Sequence, residues 1–267
     1  MKFSRLWADT YVEAHRNSGM ASINSVFRKW AASPSNWLPV AIGLGLVCAV
    51  AKTTQPIEIP KVMIGAKDQV IYYHRATKED ATALGQALKG IGYFADKGSG
   101  VVLDKTKGGT VLSFVLSEGA WSQPNAISEY GDMARLVAPA VGGFPLKVQL
   151  LDQKLVIRRD LMVGKELVGM RDTIYYYGSA TEEDARMLGQ SLRSAGAMRD
   201  TGMTVVLAKG DVTTLSFVVH QSPWERPEAV TAFESLTRQV SPSVGGLPVR
   251  LRFLDTGGRS RKELSVE

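Results

Sequence analysis

The sequence contains few of the residues from which catalytic and metal sites are usually built. It has one cysteine and three histidines in 267 residues, which excludes a disulfide framework and a thiolate metal cluster. Serine-nucleophile, zinc-protease, phosphate-loop and dinucleotide motifs are all missing. The acidic pairs Glu79-Asp80 and Glu182-Glu183 stand where helices are predicted to begin, and carboxylates there are stabilised by the free N–H groups of the first turn. We therefore predict no catalytic residue, no cofactor, no bound metal, and a protein that is not an enzyme.

A strong charge imbalance is also missing. The hydrophobic fraction of 45% and the charged fraction of 22% are ordinary for a globular protein, so disorder is not the default expectation. The formal net charge of +6 would suit nucleic acid or anionic lipid, but it is modest for a chain of this size. A solvated basic surface explains it more simply, and we predict no nucleic-acid partner.

One long stretch of the chain carries no charge. It runs from Trp37 to Ala51, which is 51 − 37 + 1 = 15 residues, or about 22 Å as a helix. A hydrocarbon core is about 30 Å thick. The helix is therefore shorter than the hydrocarbon core, and Trp37 at one interface and Lys52 at the other would relieve part of this difference in length. We therefore predict a transmembrane helix within residues 35–54 that is retained in the mature protein and contacts membrane lipid.

Two other interpretations of this segment stay open. Ala49-Val50-Ala51 has the small-x-small form of a signal-peptidase site, which would make the apolar run part of a cleaved signal. However, 36 residues precede the run, which is far longer than an ordinary leader. The other alternative is a helix buried in a protein core, but no amphipathic partner segment flanks it closely.

Basic residues are more frequent before the predicted span than after it. Such a bias places the basic side in the cytoplasm. We therefore predict a single-pass protein of a bacterial inner membrane, with the N-terminus in the cytoplasm and the bulk of the chain on the outer or periplasmic side. The basic residues are Lys2, Arg5, Arg16, Arg28 and Lys29 before the span, and Lys52, Lys61 and Lys67 after it.

Residues 1–34 are predicted to form a cytoplasmic amphipathic helical segment. Large apolar residues recur there at helical spacing, and charged or small residues fill the other faces. A basic amphipathic helix with aromatic residues often lies in the lipid headgroup plane, whereas the same aromatic faces could instead dock on another membrane protein. The candidate contact residues for either role, together with the start of the span, are Trp7, Tyr11, Phe27, Trp30 and Trp37.

The remainder of the chain contains one segment twice. Ile71-Tyr72-Tyr73 recurs as Ile174-Tyr175-Tyr176, at an offset of 174 − 71 = 103. The offset is 104 for Leu84-Gly85-Gln86 against Leu188-Gly189-Gln190, so the second copy is expected to carry one extra residue in its first turn. This similarity indicates a duplication. The predicted boundaries are 55–152 and 172–255 for the two copies, 153–171 for a linker and 256–267 for a basic tail.

Both copies predict the element order βαββαβ, which is the order of ferredoxin-like domains. The fold class is therefore predicted as α+β, with four antiparallel strands that carry both helices on one face. Thr77 and Thr181 are predicted N-caps. Gly85 and Gly189 fall in the middle of the first helix, where glycine is unfavourable, and a close approach of helix and sheet would explain them. The linker, through Leu155-Val156-Ile157, is also compatible with a short strand.

The opposite face of each sheet is the candidate binding face. Period-two alternation places Tyr72 and His74 there if Ile71 and Tyr73 point to the helices. The alternative is that these faces pack on each other or on the linker. Trp121 and Trp224, in the loop before the second helix, are either binding anchors or core residues. The binding-face candidates are Tyr72, His74, Tyr175, Tyr177, Ser113, Ser216 and His220.

The predicted strand order resembles that of two families. RNA-recognition motifs place aromatic residues on two strands of a βαββαβ sheet, and Leu112-Ser113-Phe114-Val115 is similar to the Phe-Val end of their motif. Its Arg-Gly-aromatic start is missing, and an external domain behind a membrane anchor argues against RNA. The architecture also resembles that of SPOR domains, which are small modules on single-pass bacterial anchors. This resemblance implies binding of peptidoglycan strands through the sheet side.

These observations predict a non-enzymatic, single-pass membrane protein whose repeats bind other membrane or envelope proteins, as an accessory or assembly subunit of a complex. The alternative is a peptidoglycan-binding, SPOR-like envelope module. A third hypothesis is an enzyme whose site is assembled without a known motif.

The predicted anchor can be tested by membrane extraction. We expect the full-length protein to stay in the membrane fraction after an alkaline wash, because a retained transmembrane helix is buried in the hydrocarbon core. N-terminal sequencing of the mature protein is the matching control. A mature N-terminus at Lys52 would show instead that the segment is a cleaved signal.

Overall fold

The computed structural model describes residues 59–123, 125–220 and 222–267. The predicted amphipathic segment and the predicted transmembrane helix, with their five aromatic candidates, lie outside these residues. Within the described part of the chain, no helix has the length and apolar character needed to cross a membrane.

The described residues form a mixed α/β fold around one sheet of eleven strands, whose order in the sheet is their order in the sequence. The strands are β1 Lys61–Ile64, β2 Asp68–His74, β3 Gly100–Thr106, β4 Gly109–Val115, β5 Leu146–Leu151, β6 Ile157–Val168, β7 Asp172–Gly178, β8 Thr204–Lys209, β9 Thr213–Val218, β10 Val249–Leu254 and β11 Ser260–Val266.

Four α-helices connect strands of this sheet. They are α1 Lys78–Gly90, α2 Ala126–Val137, α3 Glu182–Ser194 and α4 Pro227–Val240. A short 3-10 helix follows each of α2 and α4, over Ala138–Val141 and Ser241–Val244. Two more precede α2 and α4, over Ala120–Ser122 and Pro223–Glu225.

The starts of α1 and α3 follow from local sequence. Thr77 Oγ1 accepts a hydrogen bond from the Asp80 backbone N–H at 3.2 Å, and Asp80 Oδ2 accepts one from the Thr77 N–H at 3.0 Å. The same reciprocal pair joins Thr181 and Asp184. Each box satisfies two N–H groups that the helix cannot bond internally, so the predicted N-caps at Thr77 and Thr181 are confirmed.

The strand order requires a correction to the predicted topology. The element order βαββαβ is present in both halves, but the ferredoxin-like arrangement of four antiparallel strands is not observed. β2 pairs in parallel with β3, and β4 pairs in parallel with β5. Each helix therefore returns the chain to the adjacent strand, whereas a ferredoxin-like sheet leaves room for another strand in between. The hydrophobic alternation of the strands is the same in both arrangements, so it could not distinguish them.

The predicted linker 153–171 contains the longest strand of the sheet. The first part of β6 pairs with β5, from Ile157↔Leu151 to Val163↔Leu146. Its last part pairs with β7, from Met162↔Gly178 to Val168↔Asp172. Both halves of the sheet therefore share β6, and a boundary at residue 152 or 171 would separate a strand from the core that it completes.

The predicted C-terminal tail also belongs to the sheet. Its residues Ser260–Val266 form β11, which pairs antiparallel with β10. β11 holds the place in the second half that the first part of β6 holds in the first half. In the same way, β1 corresponds to the last part of β6, because both pair with the strand that precedes a capped helix.

The two halves carry their helices on opposite faces of the sheet. The core under α1 and α2 includes Val70, Leu112 and Val163, whereas the core under α3 and α4 includes Val168 and Leu215. Side chains of a strand alternate between faces. Val163 and Val168 are separated by five positions, an odd number, so β6 contributes one face to each core.

Two helix glycines lie against the sheet, as the sequence predicted. A Cβ atom at Gly85 would overlap the side chain of Ile64. A Cβ at Gly189 would come within 2.6 Å of Val168 Cγ2. Glycine is unfavourable inside a helix by about 1 kcal/mol relative to alanine, and the close approach of α1 to β1 and of α3 to β6 explains why it is present.

A pair of aspartates organises the same loop in each half. Asp68 Oδ1 accepts hydrogen bonds from the N–H groups of Gly98 and Ser99, and its Oδ2 accepts one from Asp96. Asp96 Oδ1 in turn accepts the N–H groups of the turn between β1 and β2. In the second half, Asp172 and Asp200 make the same contacts.

Burial alone would raise the pKa of Asp172, but the N–H groups of Met203, Asp200 and Gly202 more than offset it and hold the pKa below its usual range. A folded-state pKa below the unfolded value of about 3.9 means that the carboxylate stabilises the fold fully above that pH. This stabilisation is lost as the pH falls through the folded pKa.

We expect Asp172→Asn to cost about 1–3 kcal/mol near pH 7, because the amide leaves a buried N–H group without an acceptor. Urea denaturation at successively lower pH should show the gap between the variant and the wild type closing as Asp172 becomes protonated. The exposed Asp211→Asn serves as a control. A gap that stays constant with pH would contradict the role of the ionised carboxylate.

Candidate functional site

Helix α2 is packed on two sides. Ala134 and Val137 lie in the core of the first half. Gly131 lies against the ring of Tyr177 on β7, so that a Cβ there would come within 2.6 Å of Tyr177 Cδ2. Helix α2 therefore covers the sheet face of the second half that is opposite α3 and α4, and it joins the two halves into one unit.

Tyr177 is the largest fully buried side chain in the described residues. Its hydroxyl donates to the Ser128 carbonyl at 3.4 Å. Burial raises the pKa of Tyr177 well above its usual value, and the neighbouring carboxyl of Asp132 adds to this shift. The phenol is therefore neutral and acts as a hydrogen-bond donor inside the junction.

Three charged side chains lie beside Tyr177. Arg252 Nη2 is 3.2 Å from Asp132 Oδ2, and Arg135 Nε is 3.6 Å from Asp132 Oδ1. All three residues are 6–8% exposed. The guanidinium of Arg135 also lies over the ring of Tyr175, 5.3 Å from its centroid. Because an isolated buried charge costs several kcal/mol, the cluster depends on its mutual contacts.

The hydrogen bonding of this cluster is incomplete among the described residues. Arg252 Nε and Nη1, Arg135 Nε and Nη2, and Asp132 Oδ1 have no hydrogen-bond partner. Burial raises the pKa of Asp132, and the charges of Arg135 and Arg252 only partly oppose this effect. A buried guanidinium N–H without an acceptor costs free energy, so the described contacts of the cluster do not fully compensate for its burial.

A groove of about 730 Å³ opens beside the cluster, between α2 and the β10–β11 hairpin. Asn125, Glu129 and Met133 line it on the helix side. Arg250, Arg252 and Arg259 line it on the hairpin side, with Glu263. The groove is thus built by both halves of the chain and has arginine side chains along one wall. Among the described residues, no group of three or more His, Cys, Asp or Glu side chains could hold a metal ion.

The binding-face candidates of the first strand occupy different positions in the two halves. The aspartate pairs fix the offset between β2 and β7 at 172 − 68 = 104, so the counterpart of Tyr73 is Tyr177. The extra residue predicted for the first turn of copy two is therefore not there. Tyr72 packs on the core under α1 and α2, on the face opposite to the one predicted for it.

The other three aromatic candidates, Tyr175, Tyr177 and His74, do not form one exposed face. Tyr175 is on the predicted face, but it is half-buried against Arg135 and Phe144. Tyr177 is on the predicted face and fully buried. His74 ends β2, is exposed, and lies 2.7 Å from Asp104 Oδ1 through its Nδ1.

The predicted serines lie on the face opposite to their own helices, as expected, but both are buried. Ser113 donates to Gln149 Oε1 at 3.2 Å, and Ser216 is fully buried. His220 is exposed beyond the end of β9. Trp121 and Trp224 are partly buried against the cores of their own halves, in agreement with the core alternative rather than with exposed anchors.

Sequence reasoning missed Gly131, Asp132, Arg135 and Arg252. A signal for Gly131, Asp132 and Arg252 was present in the comparison of the two copies, whereas Arg135 corresponds to the identical Arg238. At an offset of 103, Gly131 and Asp132 correspond to Glu234 and Ser235, and Arg252 corresponds to Gln149. Neighbouring positions of the two helices also differ, as in Glu129 against Ala232 and Leu136 against Gln239, so these differences alone do not single out the junction.

In comparisons with known proteins, no family model, no curated protein and no solved structure matched the chain.

The junction can be tested by stability measurements. We expect Tyr177→Ala to cost about 3–5 kcal/mol, as for a buried aromatic residue. Gly131→Ala should cost about 1–3 kcal/mol through overpacking against the ring. Both are measured by chemical denaturation, with the exposed Met170→Ala (86% exposed) as the control. A loss of less than about 1 kcal/mol for Tyr177→Ala, which is typical of an exposed site, would contradict the packing of α2 on β7.

Proposed function

We propose that the chain is a non-enzymatic, single-pass membrane protein that acts as an accessory or assembly subunit of a membrane or envelope protein complex. In this proposal, the N-terminal segment anchors the chain, and the two joined halves of the sheet form the platform on which partner proteins dock.

The observation that carries the proposal is the groove between α2 and the β10–β11 hairpin. It is about 730 Å³ in volume, which is within the range of ligand-binding clefts. It lies over the junction of the two halves, where α2 is fixed on both sides by Tyr177 and by the core of the first half. A site on rigid elements can hold a partner with little loss of conformational entropy.

The peptidoglycan-binding alternative is less well supported. It requires an open sheet face with accessible aromatic and hydroxyl side chains. Tyr177, Ser113 and Ser216 are fully buried, and Tyr72 packs on a core. No described contact favours a glycan over a protein segment.

Co-purification in mild detergent tests the proposal. We expect full-length protein to retain a specific set of membrane or envelope proteins, identified by mass spectrometry. Met133→Trp should lose them, because an indole there fills the groove from the helix side. Met187→Trp is the matched control, since Met187 is an exposed residue on α3 outside the groove.

Two results would overturn the proposal. The first is that no specific protein co-purifies with the full-length chain. The second is that residues 1–58 alone retain the same proteins, which would show that the repeats have no part in docking.

A further inference from the structure

We infer that the groove between α2 and the β10–β11 hairpin binds an acidic, extended peptide segment of a partner protein, with its carboxylates on Arg250, Arg252 and Arg259. This inference rests on the proposed function and adds the chemistry of the partner.

The dimensions of the groove suit a short extended segment. Its helix wall runs from Asn125 to Leu136, which is about 16 Å at 1.5 Å per residue. An extended chain advances about 3.3 Å per residue. The groove therefore accommodates about five residues of a partner, with Met133 and Leu136 available for apolar side chains.

Three arginines and three carboxylates, Glu129, Asp132 and Glu263, line the groove, so a carboxylate ligand is favoured only where an arginine atom has no acidic partner. Arg259 is exposed, and no ion pair of the described residues involves it. Arg252 Nη2 pairs with Asp132 Oδ2 at 3.2 Å. Glu263 lies between Arg250 and Arg252, and its Oε1 is 3.1 Å from Arg250 Nε whereas its Oε2 is 3.7 Å from Arg252 Nε. The second distance is too long for a hydrogen bond.

Arg252 has nitrogen atoms that lack a hydrogen-bond acceptor. It is 8% exposed, it lines the groove, and its Nε and Nη1 have no hydrogen-bond partner among the described residues. These two atoms are closed to solvent in the structure. The side chain of Glu263 is 47% exposed, so it can swing outward and leave the guanidinium to an incoming carboxylate. A carboxylate can bond a guanidinium through two parallel N–H groups.

The fold itself accounts for one of these three arginines. At an offset of 103, the equivalent positions in the first half are Lys147, Gln149 and Val156. Lys147 pairs with Asp160 at 2.8 Å as Arg250 pairs with Glu263, so the strand pair explains a basic residue there. Gln149 and Val156 support the same strand and turn without a charge, so stability of the fold does not explain Arg252 and Arg259.

A labelled peptide tests the inference directly. The probe is the five-residue peptide acetyl-Glu-Leu-Glu-Glu-Leu-amide, added to detergent-solubilised full-length protein, with fluorescence anisotropy as the readout. We expect the acidic peptide to bind and the same peptide with glutamine at every glutamate not to bind. Binding should weaken with salt, because partly exposed ion pairs are screened.

Variants can distinguish the effect of the groove arginines from the effect of the protein's overall positive charge. Arg250→Gln and Arg259→Gln should each weaken binding at least about tenfold, because each removes a charge-assisted hydrogen bond to a carboxylate. Glu263→Gln should tighten binding, because it removes the competing carboxylate. Arg226→Gln removes one charge from an exposed site outside the groove and should leave binding unchanged.

Several outcomes would overturn the inference. Equal binding of the acidic and glutamine peptides, or an equal effect of Arg226→Gln, would show that the groove arginines do not select carboxylates. Displacement by inorganic phosphate at the same concentration as the peptide would assign the site to a small oxyanion instead. Loss of co-purified proteins in Met133→Trp without peptide binding would leave the docking platform standing and reject its acidic ligand.

Discussion

The structure depends on the backbone pairing of one strand, β6, with neighbours from both copies. Its first part completes the sheet of the first half and its last part begins the sheet of the second. Since side chains alternate along a strand, the odd separation between Val163 and Val168 places the two cores on opposite faces. The shared strand β6 thus joins both copies in one continuous sheet and determines which face of the sheet each core occupies.

The two faces have different neighbours as a result. Helix α2 lies where the sheet passes from one half to the other, so its second side must fit the strands beyond β6. Gly131 leaves room for Tyr177, and Asp132 meets Arg252. Helix α4 has no such strands beyond it in the described chain, and Glu234 and Ser235 stand at the same positions. The sequence of each helix therefore follows from its place in the sheet rather than from the repeat alone.

Local features were predictable from the sequence, whereas the register and the junction were not. Thr77 and Thr181 predict the starts of their helices because an N-cap bonds to groups within three residues. Gly85 indicates close packing because glycine is unfavourable inside a helix. The run Tyr175-Tyr176-Tyr177 matches Tyr72-Tyr73 equally well at offsets of 103 and 104, so tyrosine alone could not fix which side chain faces the helices. Asp68 and Asp172 decide the register, but their role appears only when distant loops donate their N–H groups to them.

The two edges of the sheet also limit where partners can bind. β1 has four residues, directly after Pro60, and it begins with Lys61. β11 carries Arg261, Lys262 and Glu263. Short, charged edge strands oppose the addition of further strands. If a third repeat packed on α4 as the second repeat packs on α2, a tyrosine would lie against Glu234 instead of against a glycine. This contact would bury a carboxylate, which costs free energy. Within the described residues, the edges and α4 thus disfavour further growth of the sheet.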